Sequence, residues 1–306
     1  MMNSSNKNIL VLINQKTSPT DKNWTFFRRT LKEAINDSKI EVTMGALCDF
    51  VYELSDEEHK IYDRQRGFSL TDFDLVVFRI IRKEFARASS CASLLQEKNI
   101  PYIDSMIQPS PRSKYSAAAV RRSAGFNTIK SVYSNNSELI SLIDADEIKI
   151  PFPLVLKDVN GRRGMLNFVA KNKDEAIKVL AENPEVQFII QEFVPNDGDY
   201  RFLVFGGKVV LVIHRQAQSG SHLNNTSQGG VSKIVDISKF DQKLLDDVVL
   251  AAKLEKLEVA GVDIMIDTVS KKHYVVEVNS SPQLATGGSP ELKMKAYSDY
   301  LKSIVK

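Results

Sequence analysis

Residues 260–282, AGVDIMIDTVSKKHYVVEVNSSP, constrain the chain more than any other stretch. Val262, Ile264 and Ile266 alternate with Asp263, Met265 and Asp267. After Lys271 and Lys272, Tyr274, Val276 and Val278 alternate with Val275, Glu277 and Asn279. Period-two alternation of β-branched residues around a polar turn predicts an antiparallel hairpin. In such a hairpin Asp263 and Glu277 face the same side, with Asn279 one alternate position beyond. Two carboxylates and an amide oxygen around one point form the all-oxygen set that suits Mg²⁺, which leaves its other positions to water and phosphate. Taken alone, DxxxD or ExN is equally what a solvated surface hairpin carries. Three donors in an apolar frame, closed by Ser280-Ser281-Pro282, favour the metal.

The other parts of the chain are those of a soluble α/β protein. Its 306 residues are 43% hydrophobic and 26% charged, enough for two or three subdomains around a large core. A net charge of +3 demands no nucleic-acid partner but suits an anionic substrate. The polar start MMNSSNKN matches no signal peptide, and no apolar run reaches membrane-spanning length, so no membrane partner is expected. Cys48 and Cys91 lack CxxC spacing and read as small buried hydrophobes of a reducing compartment, the cytoplasm by default.

Taken in order, 8–14 (NILVLIN), 39–47, 70–81 and 100–104 read as strands, with helices at 24–38 and 87–98 between them. That alternation predicts a small parallel α/β sheet. The charge-dense stretch 53–68 reads as an excursion, a hairpin arm. No GxGxxG follows the first strand, so this region is not read as a dinucleotide site. Arg79, Arg82, Lys83 and Arg87 suit either a carboxylate or phosphate contact or a solvated helix face.

Beyond Pro109 and Pro111 a helix is predicted from Arg112, with Lys114 in its first turn and a stop at Ala124-Gly125. The strand PFPLVLK ends on Lys157 and leads into Gly161, Arg162, Arg163 and Gly164. A lysine before a glycine loop is a phosphate device, because freed backbone N–H groups point at phosphate oxygens while the ammonium adds charge. The two loop arginines read equally as solvated residues. Strand QFIIQEF carries Gln191, Glu192 and Phe193 into Val194, and 198–212 forms a hairpin turning at Gly206-Gly207. A polar, glycine-rich loop follows at 219–230, then a helix at 241–257, the metal hairpin and a last helix at 289–306.

Together these motifs closely resemble the ATP-grasp ligases, nearest the RimK-like and glutathione-synthetase-like branches. The resemblance runs from Arg112 to the end in family order: lysine, lysine-glycine loop, QEF, DYR, arginine, Asn…GG, Asp, Glu-x-Asn. It implies an ATP-grasp fold with an N-terminal small parallel α/β domain: 1–108 preceding the ATP-grasp, 109–194 its central subdomain, and 195–306 its C-terminal subdomain. It further implies ATP bound between those two subdomains. Lys114, Lys157, Gly161, Arg162, Arg163, Gly164 and Asp199 would then lie along the nucleotide, with Gln191, Glu192, Phe193, Val194 and Met265 at its base. Asp263, Glu277 and Asn279 would hold Mg²⁺, two ions, with Mn²⁺ as a substitute. Arg215 would meet the γ-phosphate and acyl-phosphate, and Arg201 would support the fold or the site.

Two departures stand out. Phe126-Asn127-Thr128 replaces a proline-containing helix exit, and Leu223 stands where relatives carry a loop arginine beside Asn225 and Gly229-Gly230. That leaves three readings: His222, Arg162 or Arg163 supplies the charge, the substrate differs, or turnover is weak. The implied reaction joins a carboxylate substrate to an amine acceptor (an amino acid, peptide or protein tail) through an acyl-phosphate; self-association is compatible with it. An ATP-grasp kinase, or a nucleotide-binding protein with little ligase activity, are the competing expectations.

Overall fold

The computed structural model describes residues 7–14, 22–79, 81, 84–103, 107–111, 113–161, 166–216, 231–285 and 288–304. The chain divides into two compact units. Met1–Ser123, Lys130–Asn160 and Ala170–Glu192 make the first, and Ala124–Ile129, Gly161–Val169 and Phe193–Lys306 the second.

The first unit contains the predicted parallel sheet. Strands β1 (Lys7–Ile13), β2 (Ile40–Ala46), β6 (Leu75–Phe78) and β7 (Tyr102–Ile103) lie in the order β2-β1-β6-β7, all parallel. Helices α1 (Lys22–Ile35) and α2 (Phe85–Glu97) supply the crossovers that parallel strands require. The stretch read as one strand from residue 70 is shorter in the structure. Ser69 and Asp72 form a capping box, and the 3₁₀ turn that it caps occupies Leu70–Asp72 before β6 begins.

A second, antiparallel sheet in this unit joins distant parts of the sequence. The excursion folds as β3 (Val51–Leu54), β4 (His59–Asp63) and the short β5 (Phe68–Ser69). From later in the chain come β8 (Ser131–Tyr133), β9 (Leu154–Asp158) and β11 (Phe188–Glu192), in the order β9-β11-β8-β3-β4-β5. Tyr52 on β3 sits opposite Tyr133 on β8. A single apolar cluster, including Leu12, Tyr52, Cys91, Leu94, Tyr115, Tyr133 and Ile189, underlies both sheets. Helices α3 (Lys114–Ser123), α4 (Asn136–Asp144) and α5 (Lys173–Glu182) belong here, the last two capped by Asn135 and Asn172. The short strand β10 (Asn167–Ala170) spans the chain's return into this unit.

His59 on β4 is buried, and its Nδ1 lies 3.2 Å from Glu97 Oε2, which also accepts from Arg122 Nη1 at 2.7 Å. Burial, only partly offset by Glu97, pushes the imidazole down to about 4. The folded state therefore keeps His59 neutral where the unfolded chain, near pH 6.5, takes up a proton. Stability is full above that value and falls as pH drops toward 4, by an amount on the order of 3 kcal/mol. In urea titrations from pH 7 to 4, His59→Gln is expected to flatten this slope; an unchanged slope would assign it to other groups.

The second unit is built on strands β12 (Asp199–Phe205), β13 (Lys208–Gln216), β14 (Val231–Val235), β15 (Val259–Ile266) and β16 (His273–Asn279). They pair antiparallel in the order β14-β13-β12-β15-β16. Residues of one parity, including Phe202, Val204, Val212, Val262 and Ile264, pack against Leu244, Val248 and Ala251 of α6 (Gln242–Leu254). On β12 the other parity brings Phe205 against Tyr297 and Tyr300 of α7 (Pro290–Ile304). The β12–β13 turn uses Gly206 and Gly207 at φ 55° and 75°, as the sequence predicts. A Cβ on Gly206 would also lie 2.5 Å from the Tyr300 ring, so this glycine serves helix packing as well as the turn. Among the described residues, no helix is long and apolar enough to cross a membrane.

Candidate active site

The hairpin forms as predicted, and its register places Asp263 directly opposite Glu277, with Asn279 opposite Gly261. Directly opposed residues share a sheet face. A bulge follows Asp263, so Ile264 pairs with Val275. Asn279 Nδ2 lies 3.4 Å from Asp263 Oδ2. Asp263 is 4% exposed and Glu277 is open to solvent, so the donor set has a buried end and a wet end.

The neighbouring strands add charge to the same face. Arg201 on β12 is opposite Asp263, and Asp199, two residues back on the same side, is opposite both Arg215 and Met265. Arg201 grips Asp263 with both prongs, Nε to Oδ1 at 2.7 Å and Nη2 to Oδ2 at 2.6 Å. Arg215 donates to both oxygens of Asp199 and also lies 3.0 Å from Asp263 Oδ2. Two arginines and two aspartates thus form one buried bidentate network. Burial would raise Asp263, but Arg201 and then Arg215 outweigh it and hold the carboxyl below its usual range. Burial dominates at Asp199, whose carboxyl is raised despite Arg215. Burial would lower Arg215, yet Asp263 and Asp199 hold its guanidinium above its ordinary value.

Gly198 sets the start of this array. It adopts φ 125°, and a Cβ there would run into the Arg215 carbonyl and lie 2.9 Å from His214 Nε2. Gly198→Ala is expected to cost about 2 kcal/mol or more, since the backbone conformation and the space both forbid a side chain. Urea unfolding reads this directly; an unmoved midpoint would show that the strand entrance is not fixed by Gly198.

A hard divalent cation fits these donors. Among the described residues no group of three or more His, Cys, Asp or Glu side chains is arranged around a metal position. The hairpin instead offers two carboxylates and a carboxamide, the oxygen-only chemistry of Mg²⁺. Oδ2 of Asp263 is taken by Arg201, Arg215 and Asn279, whereas Oδ1 accepts from Arg201 Nε and keeps a second position that a cation could use.

The remaining candidates fall in smaller groups. Lys114 opens α3, and its backbone N–H donates to the Val159 carbonyl at 3.4 Å, two residues beyond Lys157 on β9. These lysines therefore sit on adjoining segments of the first unit. Gly161 follows a tight exit in which Asn160 N–H bonds Asp158 Oδ1 at 2.9 Å. Gln191 Nε2 donates to Ser131 Oγ at 2.9 Å, and the Glu192 N–H donates to the Lys130 carbonyl at 3.0 Å. Phe193 is 40% exposed, the kind of uncovered aromatic face on which a flat base can lie. Val194 is buried with Ile129 and Tyr274, and Met265 packs on them, so two residues expected at the base share one apolar cluster. Arg162, Arg163, Gly164, His222, Leu223 and Asn225, with Arg82 and Lys83, lie outside the described residues.

A profile of the RimK-like ATP-grasp domain matches residues 112–304. The chain belongs to the RimK-like ATP-grasp family. A probable alpha-L-glutamate ligase of Mannheimia succiniciproducens is 29% identical over 71% of this chain and 72% of that ligase. One from Sodalis glossinidius is 38% identical over 43% of this chain, and the match spans 44% of that ligase. Among solved structures, D-alanine–D-alanine ligase from Bacillus anthracis superposes with a TM-score of 0.50 at 18% identity, over 98% of this chain and 96% of that one. The ATP-grasp fold expected from the motifs is thereby the fold of this RimK-like protein. ATP-grasp ligases use ATP and Mg²⁺. Arg201, carried by the D-x-R motif as a supporting residue, proves to be the bidentate partner of Asp263. The motif held that signal; the partner lay 62 residues away.

Proposed function

We propose that this chain is an ATP-dependent carboxylate–amine ligase working through an acyl-phosphate. The observation that carries the reading is the opposition of Asp263 and Glu277, with Asn279 beside them, on the sheet face that also holds Arg201 and Arg215. Oxygen donors for a hard cation next to two guanidiniums suit polyphosphate chemistry.

In this reading Asp263, Glu277 and Asn279 hold Mg²⁺, two ions, with Mn²⁺ able to replace it. Bound there, the metal draws charge from the β- and γ-phosphates. Lys114, Lys157 and the loop with Gly161, Arg162, Arg163 and Gly164 neutralise phosphate charge, and Asp199 lies by the ribose and phosphates. Gln191, Glu192, Phe193, Val194 and Met265 receive the base. A substrate carboxylate oxygen attacks the γ-phosphorus and ADP departs. The amine then attacks the acyl carbon, phosphate leaves with the carboxylate's oxygen, and the amine loses a proton. Arg215 stabilises charge on the transferring group, assisted by Asn225 and His222. No side chain forms a covalent bond, because the activated acyl group is carried on phosphate. The acid and the acceptor are amino acids, peptides or a protein tail.

Carboxylate labelled with ¹⁸O tests the route. One labelled oxygen is expected in released phosphate when acid, amine and MgATP are all present. Label kept wholly in a stable phosphorylated product would favour a kinase. Nucleotide binding without acceptor-stimulated ADP release would favour a protein that binds but does not ligate.

A further inference from the structure

His214 lies behind the arginine–aspartate network. It precedes Arg215 on β13, so alternation turns it to the α6 face while Arg215 faces the network. Its imidazole stacks on Tyr200, the residue opposite on β12, with ring centroids 4.3 Å apart and planes 8° from parallel. Tyr200 meets Phe240 edge-on, so the core backs the stack. The tip of the imidazole reaches over Gly198, where a Cβ would lie 2.9 Å from Nε2. Nε2 itself is buried and has no hydrogen-bond partner among the described residues. Asp197 Oδ1 lies 3.8 Å from it, on a side chain that is 53% exposed. Burial, and then Asp197, hold the Tyr200 hydroxyl above its usual range, so the charge of this carboxylate reaches the stack. Lys233, across from His214 on β14, is exposed.

A buried ring nitrogen without a partner is costly, and Asp197 is the acceptor at hand. The gap of 3.8 Å is about 0.9 Å beyond an ordinary N–H···O bond, within reach of a turn of the Asp197 carboxylate. The backbone around Asp197 is tied at both sides. Gly198 N–H donates to Asn196 Oδ1 at 3.1 Å, and Gln216 Nε2 donates to the Asp197 carbonyl at 3.1 Å. Asp199 comes next, gripped by Arg215 from the other face. Phosphate arriving at Arg215 competes with Asp199 for the guanidinium, and the strand entrance then needs a second anchor. We infer that His214 is a positioning residue: in the nucleotide-loaded enzyme Nε2–H donates to Asp197, and this bond holds residues 197–199, and through Asp199 the Arg215 guanidinium, in place. The inference rests on the ligase reading above, which brings phosphate to Arg215.

The chain has four histidines, so ¹⁵N-histidine labelling resolves each ring, and the signals lost in His214→Phe assign this one. Adding Mg²⁺ and AMP-PNP is expected to give a His214 Nε2–H proton that is shifted downfield and slow to exchange, and that disappears in Asp197→Ala. His214→Phe keeps a ring against Tyr200 but loses the donor. It is expected to lower kcat for ADP release about tenfold, with KM for ATP within twofold and the unfolding temperature unchanged, because the tie matters most when Arg215 serves the transferring group. His214→Gln, whose amide N–H can take the place of Nε2–H, should restore part of kcat, which a merely structural ring would not allow. The double variant His214→Phe/Asp197→Ala should be no slower than the slower single one. A loaded enzyme with Nε2 unprotonated, a ring signal indifferent to Asp197→Ala, kcat within twofold in His214→Phe, or no binding of AMP-PNP overturns the inference. If the ring proton behaves as expected but no acid and amine stimulate ADP release, the ligase reading fails and the tie between His214 and Asp197 stands.

Discussion

Glu277→Gln is expected to lower ATP-dependent turnover by at least ~100-fold while leaving the fold intact. The change preserves size and an oxygen donor but removes one negative charge opposite the proposed metal position, and 100-fold corresponds to about 2.7 kcal/mol in the barrier. Glu277 is exposed, so the folded protein gives up no buried partner when the charge goes. ADP release at saturating Mg²⁺ and the thermal midpoint should be measured on the same preparation. Turnover near wild type would remove Glu277 from the metal site and with it the hairpin's claimed role.

Asp263→Asn should fail in both respects. Its carboxylate is the bidentate partner of Arg201 and lies within 3.0 Å of Arg215, all with little solvent access. An amide there leaves the buried Arg215 and the half-buried Arg201 short of one negative charge, and removing one partner of a buried ion pair costs about 3–5 kcal/mol, an upper range here. Activity should fall roughly 10³-fold or more, because the buried end of the proposed metal donor set and the setting of Arg215 are lost together. The diagnostic result is the contrast: Glu277→Gln inactive but stable, Asp263→Asn inactive and several degrees less stable. Equal midpoints in the two variants would show that the arginine–aspartate network contributes little to the fold.

The hairpin was legible because both its strands and its turn are contiguous, so alternation alone put Asp263 and Glu277 on one side. The turn at Gly206-Gly207 was legible for the same local reason. The network was not. Arg201 meets Asp263 and Arg215 meets Asp199 only once β12, β13 and β15 are in register, and register follows from the turn, the bulge between Leu203 and Val204 and core packing around Phe202. The shortened strand at Leu75–Phe78 has a similar cause, since the capping box of Ser69 and Asp72 competes locally with extended backbone. The burial of Lys293, 3% exposed, gave no signal either. A lysine in a helix that also carries Lys295 and Lys302 reads as solvated until the packing of Tyr297 turns its face inward.

The pairing of β3 with β8 has a bearing on how the polypeptide is made. Leu54 leaves the ribosome well before Ser131, its register partner, and at ordinary elongation rates the wait is roughly 4–15 seconds. Through that interval one edge of β3 presents bare amide and carbonyl groups to whatever extended chain is nearby. A fragment cut to begin at residue 112 inverts the hazard: β8 would then be synthesised with no β3 to receive it. The stretch that matches the family profile, 112–304, thus leaves out a strand that pairs with one of its own. Recombinant fragments that keep β8 should retain residues 51–69 or expect aggregates.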